Sequence, residues 1–319
     1  MKQRFSKRTR LVSALLTLAM VFTFLPFSAF AANTEIDFNS PDFKLNFPDE
    51  EFRRFLKECC DKNGDGKLDV DIKNMTIPTS YAIKSLEGIR FFEDLEKLDC
   101  HGIGLTTLNV GKNFKLKELD CSGNQLMELD VSNQTQLTQL DCSKNKLTEL
   151  NVKQNGGLTS LICNDNKLTT LNLSQNHSLS NLNCARNRLA CLDVTGISGT
   201  IIADGNRCPI AVRTDGTFDL NTLPGFDVSK ATFLNGGSVS GTILTVENGK
   251  DEVSYQYDCG KGVKPIFIFE TSLPINDKNF PDANFRKYIK GNIAGGRDVL
   301  TVEAVSYTHL RAHETVLDL

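Results

Sequence analysis

A pattern of hydrophobic and polar positions recurs every 21 residues, in five copies, between Leu95 and Gly199. Each copy approximates L-x-x-L-x-C-x-x-N-x-L, so it places a leucine, a cysteine and an asparagine at fixed positions. The three columns are Leu98, Leu119, Leu140, Leu161 and Leu182; Cys100, Cys121, Cys142, Cys163 and Cys184; and Asn124, Asn145, Asn166 and Asn187. So strict a period predicts stacked coils, because one coil alone has too little core to fold.

Within each coil the apolar residues alternate as they do in a short β-strand. Leu98 and Cys100 point inward, and Asp99 between them points outward. Strands of successive coils stack roughly 4.8 Å apart, so each column becomes a ladder. The asparagines lie where side-chain amides can bond the backbone groups that a turn leaves open. We therefore predict a leucine-rich repeat solenoid over residues 75–207, with a degenerate first coil and a parallel strand ladder on its concave face.

The cysteine column has two interpretations. It can form a ladder of small, buried, apolar side chains without disulfides, or it can support redox chemistry or metal binding. The 21-residue spacing is not a C-x-x-C metal pattern, and side chains in register point the same way, which is poor disulfide geometry. Both arguments favour the buried, free ladder. Outside it, Cys191 and Cys208 flank the end of the array and could pair there, since secretion permits disulfides.

A helical cap is predicted before the array, over residues 46–74, with residues 32–45 as a spacer. Pro48 and the acidic residues beside it suit a helix N-terminus. The apolar side chains that share one helical face are Phe52, Phe55, Leu56 and Cys59. Such a cap would cover the first open coil of the solenoid.

The segment from Asp61 to Asp69, DKNGDGKLD, matches most of an EF-hand calcium loop. The predicted ligands are the side chains of Asp61, Asn63 and Asp65, the carbonyl of Lys67, and Asp69 through water. The last position, where a bidentate Glu belongs, is Ile72. The alternative is an ordinary turn rich in Asp, Asn and Gly. Ca²⁺ is thus the one cofactor that the sequence suggests, and no other is indicated.

After the array, short β-like runs separated by Gly and Asp turns predict a β-rich cap over residues 208–270. The motif NFPDANFRKYIK then repeats the opening helix motif from Asn279 onward. It predicts the start of a second helical cap over residues 271–304. The cap motif therefore occurs on both sides of the array.

Both ends of the chain carry other signals. Basic residues, an apolar stretch and the A-x-A motif ending at Ala31 predict a signal peptide over residues 1–31, with a retained membrane anchor as the alternative. No second segment is apolar enough to span a bilayer. The tail SYTHLRAHETVLDL breaks from the preceding pattern and resembles translated adapter or vector sequence. We interpret residues 305–319 as an artefact and expect the natural chain to be longer.

Composition excludes several function classes. The chain has 319 residues, a net charge of −3 and no Trp, so we expect no nucleic-acid partner. No nucleophile, zinc-protease or phosphate-loop motif is present, and His101 lies near no Ser, Cys or carboxylate at a motif spacing. The sequence therefore predicts no catalytic residues and no enzyme.

The array resembles secreted Firmicutes leucine-rich repeat proteins, including the cysteine-ladder internalins. The F-P-D-x-x-F-R helix followed by D-K-N-G-D-G-K-L is similar to the module that opens the array in many gut-bacterial members, and GTFDLNTLPGFDVSK with Tyr257-Asp258-Cys259-Gly260 is similar to their β cap. The resemblance covers residues 46 to about 304. It implies a protein secreted by, or on the surface of, a Gram-positive bacterium, whose array binds an extracellular protein or glycan.

Ligands of such solenoids usually lie on the concave strand face. The predicted binding residues are Lys97, Asp99, His101, Glu118, Asp120, Gln139, Asp141, Asn164, Asn181 and Asn183. Asp99, Asp120 and Asp141 stack as like charges, which favours either a basic or cation-bridged ligand or a merely solvated face. The leading hypothesis is a recognition or adhesion protein without catalysis. Its alternatives are the targeting region of a larger extracellular enzyme truncated near residue 305, and a structural surface-layer component.

Overall fold

The computed structural model describes residues 36–69, 72–274, 282–292, 294 and 299–301. At its centre, seven short strands form one parallel sheet in sequence order, so that the chain winds through about six turns of a β-solenoid. The strands are β3 (Asn74–Thr76), β4 (Lys97–Asp99), β5 (Glu118–Asp120), β6 (Gln139–Asp141), β7 (Ser160–Ile162), β8 (Asn181–Asn183) and β9 (Thr200–Ile202). This confirms the predicted solenoid of 21-residue repeats. The predicted signal peptide and the tail at 305–319 lie outside the described residues.

The leucine and cysteine columns form the solenoid core. Leu119 pairs in register with Leu98 and with Leu140, and all five leucines of the column are at most 2 % exposed. The five cysteines of the column are fully buried. A fully buried leucine contributes roughly 1.5–3 kcal/mol, and each one is buried only because a neighbouring coil covers it. The stability of the array is therefore shared between adjacent coils.

The asparagine column joins the coils by hydrogen bonds, as predicted. The Asn124 amide donates to the carbonyl oxygens of Cys100 and Cys121, both at 2.9 Å, and its Oδ1 accepts the backbone N–H of Leu105. The same pattern repeats down the column to Asn187, and Asn206 continues it in the last coil. Each amide thus satisfies buried backbone groups of two successive coils.

A second row of buried amides was not predicted. Its members are Asn113, Gln134, Asn155 and Asn176, all 0 % exposed. Each amide nitrogen donates to backbone carbonyls of the preceding coil, but the side-chain oxygen of each has no hydrogen-bond partner in the described part of the chain. The 21-residue spacing of these four positions was the signal that could have revealed the row.

The N-terminal cap begins earlier than predicted. Strand β1 (Ile36–Asp37) pairs antiparallel with β2 (Lys67–Leu68), and helix α1 (Pro41–Asn46) follows β1. Ser40 caps α1 by accepting the backbone N–H of Asp42, and Pro41 fits its first turn. The prediction of a spacer over residues 32–45 was therefore wrong from Ile36 onward. The Ser-Pro-Asp start signal is clear, but α1 is too short to show an apolar periodicity.

Helix α2 (Glu50–Cys59) joins the cap to the first coil. Its N-cap Asp49 accepts the N–H of Phe52 through Oδ1, and its Oδ2 accepts the N–H groups of Lys84 and Ser85. The helix buries Phe52, Phe55 and Leu56 as predicted. Cys59 is exposed instead, and Cys60, just beyond the helix, is the buried thiol. The single carboxylate of Asp49 therefore fixes both the helix start and the position of the degenerate coil.

A β-rich module follows the solenoid. Strands β10 (Asn206–Ala211), β12 (Ala231–Asn235), β15 (Glu252–Tyr257), β16 (Ile266–Pro274) and β17 (Val299–Thr301) form one sheet, and β11 (Thr217–Asp219), β13 (Gly237–Ser240) and β14 (Ile243–Val246) form another. Strand β10 continues from the last coil and pairs in parallel with β16. The buried Tyr255 hydroxyl donates to the carbonyl of Ala190 at 2.6 Å. The module is thereby joined to the last two coils by backbone pairing and by a buried hydrogen bond.

The remaining helix, α3 (Ala283–Asn292), repeats the capping of α2. Asp282 accepts the N–H of Phe285, as Asp49 does that of Phe52. None of the helices in the described residues is long and apolar enough to cross a membrane.

Candidate functional site

We define the strand face as the outward side chains of β4 to β8 together with the residue three positions after each central leucine. Its first column is Lys97, Glu118, Gln139, Ser160 and Asn181, its second is Asp99, Asp120, Asp141, Ile162 and Asn183, and its third is His101, Ser122, Ser143, Asn164 and Ala185. All predicted binding residues except Asn164 are exposed or half-buried on this face. The structure thus brings the predicted positions onto one surface.

The prediction that Asn164 lies exposed on this face was wrong, because its side chain is only 7 % exposed. Its amide donates to the carboxylate of the adjacent Asp165. Ser143 and Ala185, in the same column, are buried as well. Beyond the first two coils the strand face therefore narrows to two columns.

Three aspartates form an acidic row along the second column. Asp99 pairs in register with Asp120, and Asp120 with Asp141. In each, Oδ1 accepts the backbone N–H two residues later, at 3.3 Å from His101, 3.0 Å from Ser122 and 2.9 Å from Ser143. Within the described residues no Lys or Arg forms an ion pair with Asp120 or Asp141. Negative charge therefore accumulates on this part of the face.

His101 stands at the N-terminal end of the acidic row. Its Nδ1 lies 2.6 Å from Asp99 Oδ1. This hydrogen bond, and then the charge of Asp99, raise the pKa of the imidazole, and Asp120 and Asp141 add to the effect. Ligand atoms of Asp99, His101 and Asp120 all lie within 4.8 Å of one another. The sequence reasoning missed this grouping, because one of its carboxylates comes from the next coil, 21 positions away.

The cation nearest to this group is already paired. Lys97 Nζ lies 2.7 Å from Glu118 Oε2 in the neighbouring coil. That hydrogen bond raises the pKa of Lys97, and Asp99 and Asp120 contribute at longer range. The first column of the face is thus neutralised at this point, whereas the second is not.

The opposite end of the face has no acidic side chain and adjoins exposed apolar ones. Ile162 pairs in register with Asn183, and Asn183 with Ile202, which is 43 % exposed. Ile266, at the start of β16, is also exposed, and its N–H donates to Asp204 just after β9. The face therefore changes from acidic to uncharged along the solenoid.

The cysteine ladder is buried, and its thiols are free. Burial raises the pKa of every thiol in the column, as it does for Cys142. Since the thiolate is the reactive and metal-binding form, this environment favours the buried, free interpretation. The pairing suggested for Cys191 and Cys208 is not formed, because both are free and the Cys191 thiol donates to the carbonyl of Pro224.

The calcium-like loop is held by its own hydrogen bonds. Asp61 accepts the N–H groups of Asp65 and Gly66, Asn63 also accepts that of Asp65, and Asp69 accepts that of Lys62. These side chains and the Lys67 carbonyl could supply oxygen ligands. Ile72, in place of the bidentate Glu, is buried in the hydrophobic core and supplies none. The residues present therefore fit an EF-hand site only in part, and calcium binding stays a prediction.

No protein-family model and no curated protein matches this chain. Among solved structures it is similar to the functional domain of InlJ from Listeria monocytogenes, which includes a cysteine ladder, with 15% identity over 76% of this chain and 99% of that one and a TM-score of 0.26. It is also similar to an internalin, inlF, from the same organism, with 18% identity over 53% of this chain and 54% of that one and a TM-score of 0.43. A leucine-rich repeat protein from Leptospira interrogans gives 21% identity over 46% and 41%, with a TM-score of 0.39. At these values the likeness carries no argument about function.

Proposed function

We propose that this leucine-rich repeat chain is a recognition or adhesion protein that binds an extracellular protein or glycan through its strand face, without catalysis. The observation that carries the proposal is a contrast between two sets of columns. The buried columns repeat one residue type, Leu or Cys, in five successive coils, whereas the second column of the strand face changes from Asp to Ile and Asn. A uniform scaffold thus presents a non-uniform surface.

The charges of the strand face suggest the chemistry of the partner. Of the acidic side chains, Glu118 is paired with Lys97, but Asp120 and Asp141 have no cationic partner in the described chain. Complementary potentials favour encounter and specificity, so we expect a basic protein segment or a cationic glycan. No aromatic side chain lies on the face. Because aromatic anchors usually carry hot spots, we expect binding to be polar and salt-dependent.

The location of the protein is part of the same proposal. A signal-peptide pattern ends at Ala31 and supports export from the cell. We propose secretion, or display on the surface of a Gram-positive bacterium. Detection of the protein in the culture medium or on intact cells, with the chain starting after residue 31, would support this. Retention in the cytoplasm would contradict it.

The binding test compares two charge reversals of one type on the full chain. Immobilised protein would be probed with poly-lysine, chitosan oligosaccharide and a panel of neutral and acidic glycans. Asp141→Lys alters the middle of the acidic row, whereas Asp130→Lys alters an exposed aspartate outside the strand face. Loss of binding at low salt in Asp141→Lys, but not in Asp130→Lys, supports the proposal. Equal binding by both variants, or binding of no probe, contradicts it.

A further inference from the structure

Beyond this recognition role, we propose that Asp99, His101 and Asp120 form a zinc-binding site that links two adjacent coils of the solenoid. Asp99 ends β4, His101 lies in the turn that follows, and Asp120 ends β5. One ligand atom from each side chain lies within 4.8 Å of the other two. Within the described chain this is the one group of three or more His, Cys, Asp or Glu residues that converges so closely.

The donor set determines the kind of ion. One imidazole nitrogen and carboxylate oxygens are ligands that Zn²⁺ accepts, at about 2.0–2.2 Å and with tetrahedral geometry. Calcium takes 6–8 oxygen ligands and has no preference for imidazole. The group is also a mixed one, so it differs from a surface patch of carboxylates alone. These points favour a zinc ion over a calcium ion.

The backbone sets the distance between the ligands of the two coils. The parallel register of β4 and β5 fixes Asp99 beside Asp120, and stacked strands lie about 4.8 Å apart. In the metal-free arrangement, Asp99 and His101 are in hydrogen-bond contact at 2.6 Å. Tetrahedral coordination needs these atoms about 3.4 Å apart, as follows from zinc–ligand distances near 2.1 Å. The His101 side chain is 52% exposed and can make that small movement.

The charge around the group also favours a cation. Asp141 continues the acidic row in the next coil, and neither it nor Asp120 has a Lys or Arg partner in the described residues. The nearby Lys97 is held by Glu118. A bound ion would relieve the repulsion between stacked carboxylates. Three protein ligands also leave a fourth tetrahedral position for water or for a donor from a bound partner.

The test is a zinc titration of the full chain, followed by calorimetry, in a Cys59→Ser background because Cys59 is an exposed thiol. His101→Gln and Asp120→Asn each remove one ligand. Asp130→Asn is the matched control, since Asp130 accepts the N–H of Ser132 as Asp120 accepts that of Ser122, but lies outside the group. A His309→Gln and His313→Gln double variant controls for zinc binding by the only two histidines that lie close together in the sequence.

We expect one zinc ion per chain in the parent, in Asp130→Asn and in the double histidine variant. His101→Gln and Asp120→Asn should each weaken zinc binding at least tenfold, since even outer-shell changes cost about 10–100-fold in affinity. Melting temperatures measured in EDTA at a pH above the folded-state pKa of His101 should not differ, which separates loss of the site from loss of the fold. No zinc binding in the parent, or unchanged affinity in His101→Gln, overturns the proposal. Partner binding measured in EDTA tests the recognition function independently.

Discussion

The Asn145 side chain accepts the backbone N–H of Leu126, in the preceding coil, at 2.9 Å. Asn155 lies in the same coil as Asn145 and is also buried, yet its side chain only donates, to the carbonyls of Val131 and Gln134. Both carbonyls also accept a backbone N–H. The two amide rows therefore differ in the groups that they satisfy. In the first row the side-chain oxygen is the only acceptor for a backbone N–H. In the second row the side chain adds a second hydrogen bond to carbonyls that already accept one.

This difference predicts unequal effects of the same substitution. Asn145→Ala should destabilise the solenoid more than Asn155→Ala, by about 1–3 kcal/mol, because it leaves the Leu126 N–H buried without a partner. Urea unfolding of the two variants and the parent measures it. Equal free energies of unfolding for the two variants would show that the first row contributes no more than the second.

The register of the strands predicts a sharp contrast between neighbours. Leu140 is 1 % exposed, whereas Gln139 is exposed. Leu140→Asp should cost about 3–5 kcal/mol, as an unpaired buried charge does, whereas Gln139→Asp should stay within about 0.5 kcal/mol, as surface changes do. Thermal unfolding compares them. Similar melting temperatures for the two variants would show that the inward and outward positions are assigned incorrectly.

Thiol labelling should separate the cysteines by burial. Cys59 is exposed and should react first with iodoacetamide in the native protein, whereas Cys121 and Cys142 should be protected because burial raises their thiol pKa. After denaturation without reductant, all five ladder thiols should react. Mass spectrometry reads both states, and a disulfide between Cys121 and Cys142 would contradict the free ladder.

The pKa of His101 should be raised in the metal-free protein, and Asp99→Asn should bring it back toward the ordinary value. A raised folded-state pKa means that the Asp99–His101 pair stabilises the fold fully below the unfolded-state pKa of about 6.5. That contribution is lost as the pH rises through the folded-state pKa. An NMR titration of the imidazole in EDTA measures the pKa shift. Identical titration curves for the parent and Asp99→Asn would show that Asp99 does not cause it.

Calcium binding to the loop at 61–69 should be weak, with Kd on the order of 10⁻⁴–10⁻³ M, because Ile72 removes the bidentate ligand. At ten times Kd, an ion that binds only the folded state adds about 1.4 kcal/mol of stability. Calorimetry of the parent and of Asp65→Ala decides whether the loop is a calcium site or an ordinary turn. If neither heat nor a calcium-dependent melting shift appears in the parent, the loop is an ordinary turn.

The core of the solenoid was predictable because its columns repeat. Leu140 and Cys142 are fixed by the period alone, and one coil predicts the next. The pairing of β10 with β16 was not predictable, because it joins Cys208 to Phe269 without any repeat between them. Long-range pairings of this kind depend on packing that no local pattern encodes.

The candidate site was predictable residue by residue, but not as a group. Asp99, His101 and Asp120 were each expected to point outward. Their convergence depends on the 21-residue offset between coils and on the Asp99–His101 hydrogen bond. The burial of Asn164, which it shares with Ser143 and Ala185, could not be predicted, because the repeat places it in the same column as the exposed His101.

The parallel stacking of three-residue strands has a mechanical consequence. In β4 to β8 the hydrogen bonds between strands run along the solenoid axis, because each strand pairs with the coil before it and the coil after it. Tension applied between the two ends therefore loads the coils in series and peels them apart one at a time. A force–extension trace of the stretched protein should accordingly show repeated small steps of about 21 residues each, as expected for a quasi-one-dimensional array. An adhesion protein built in this way would lengthen under load and keep its remaining coils folded.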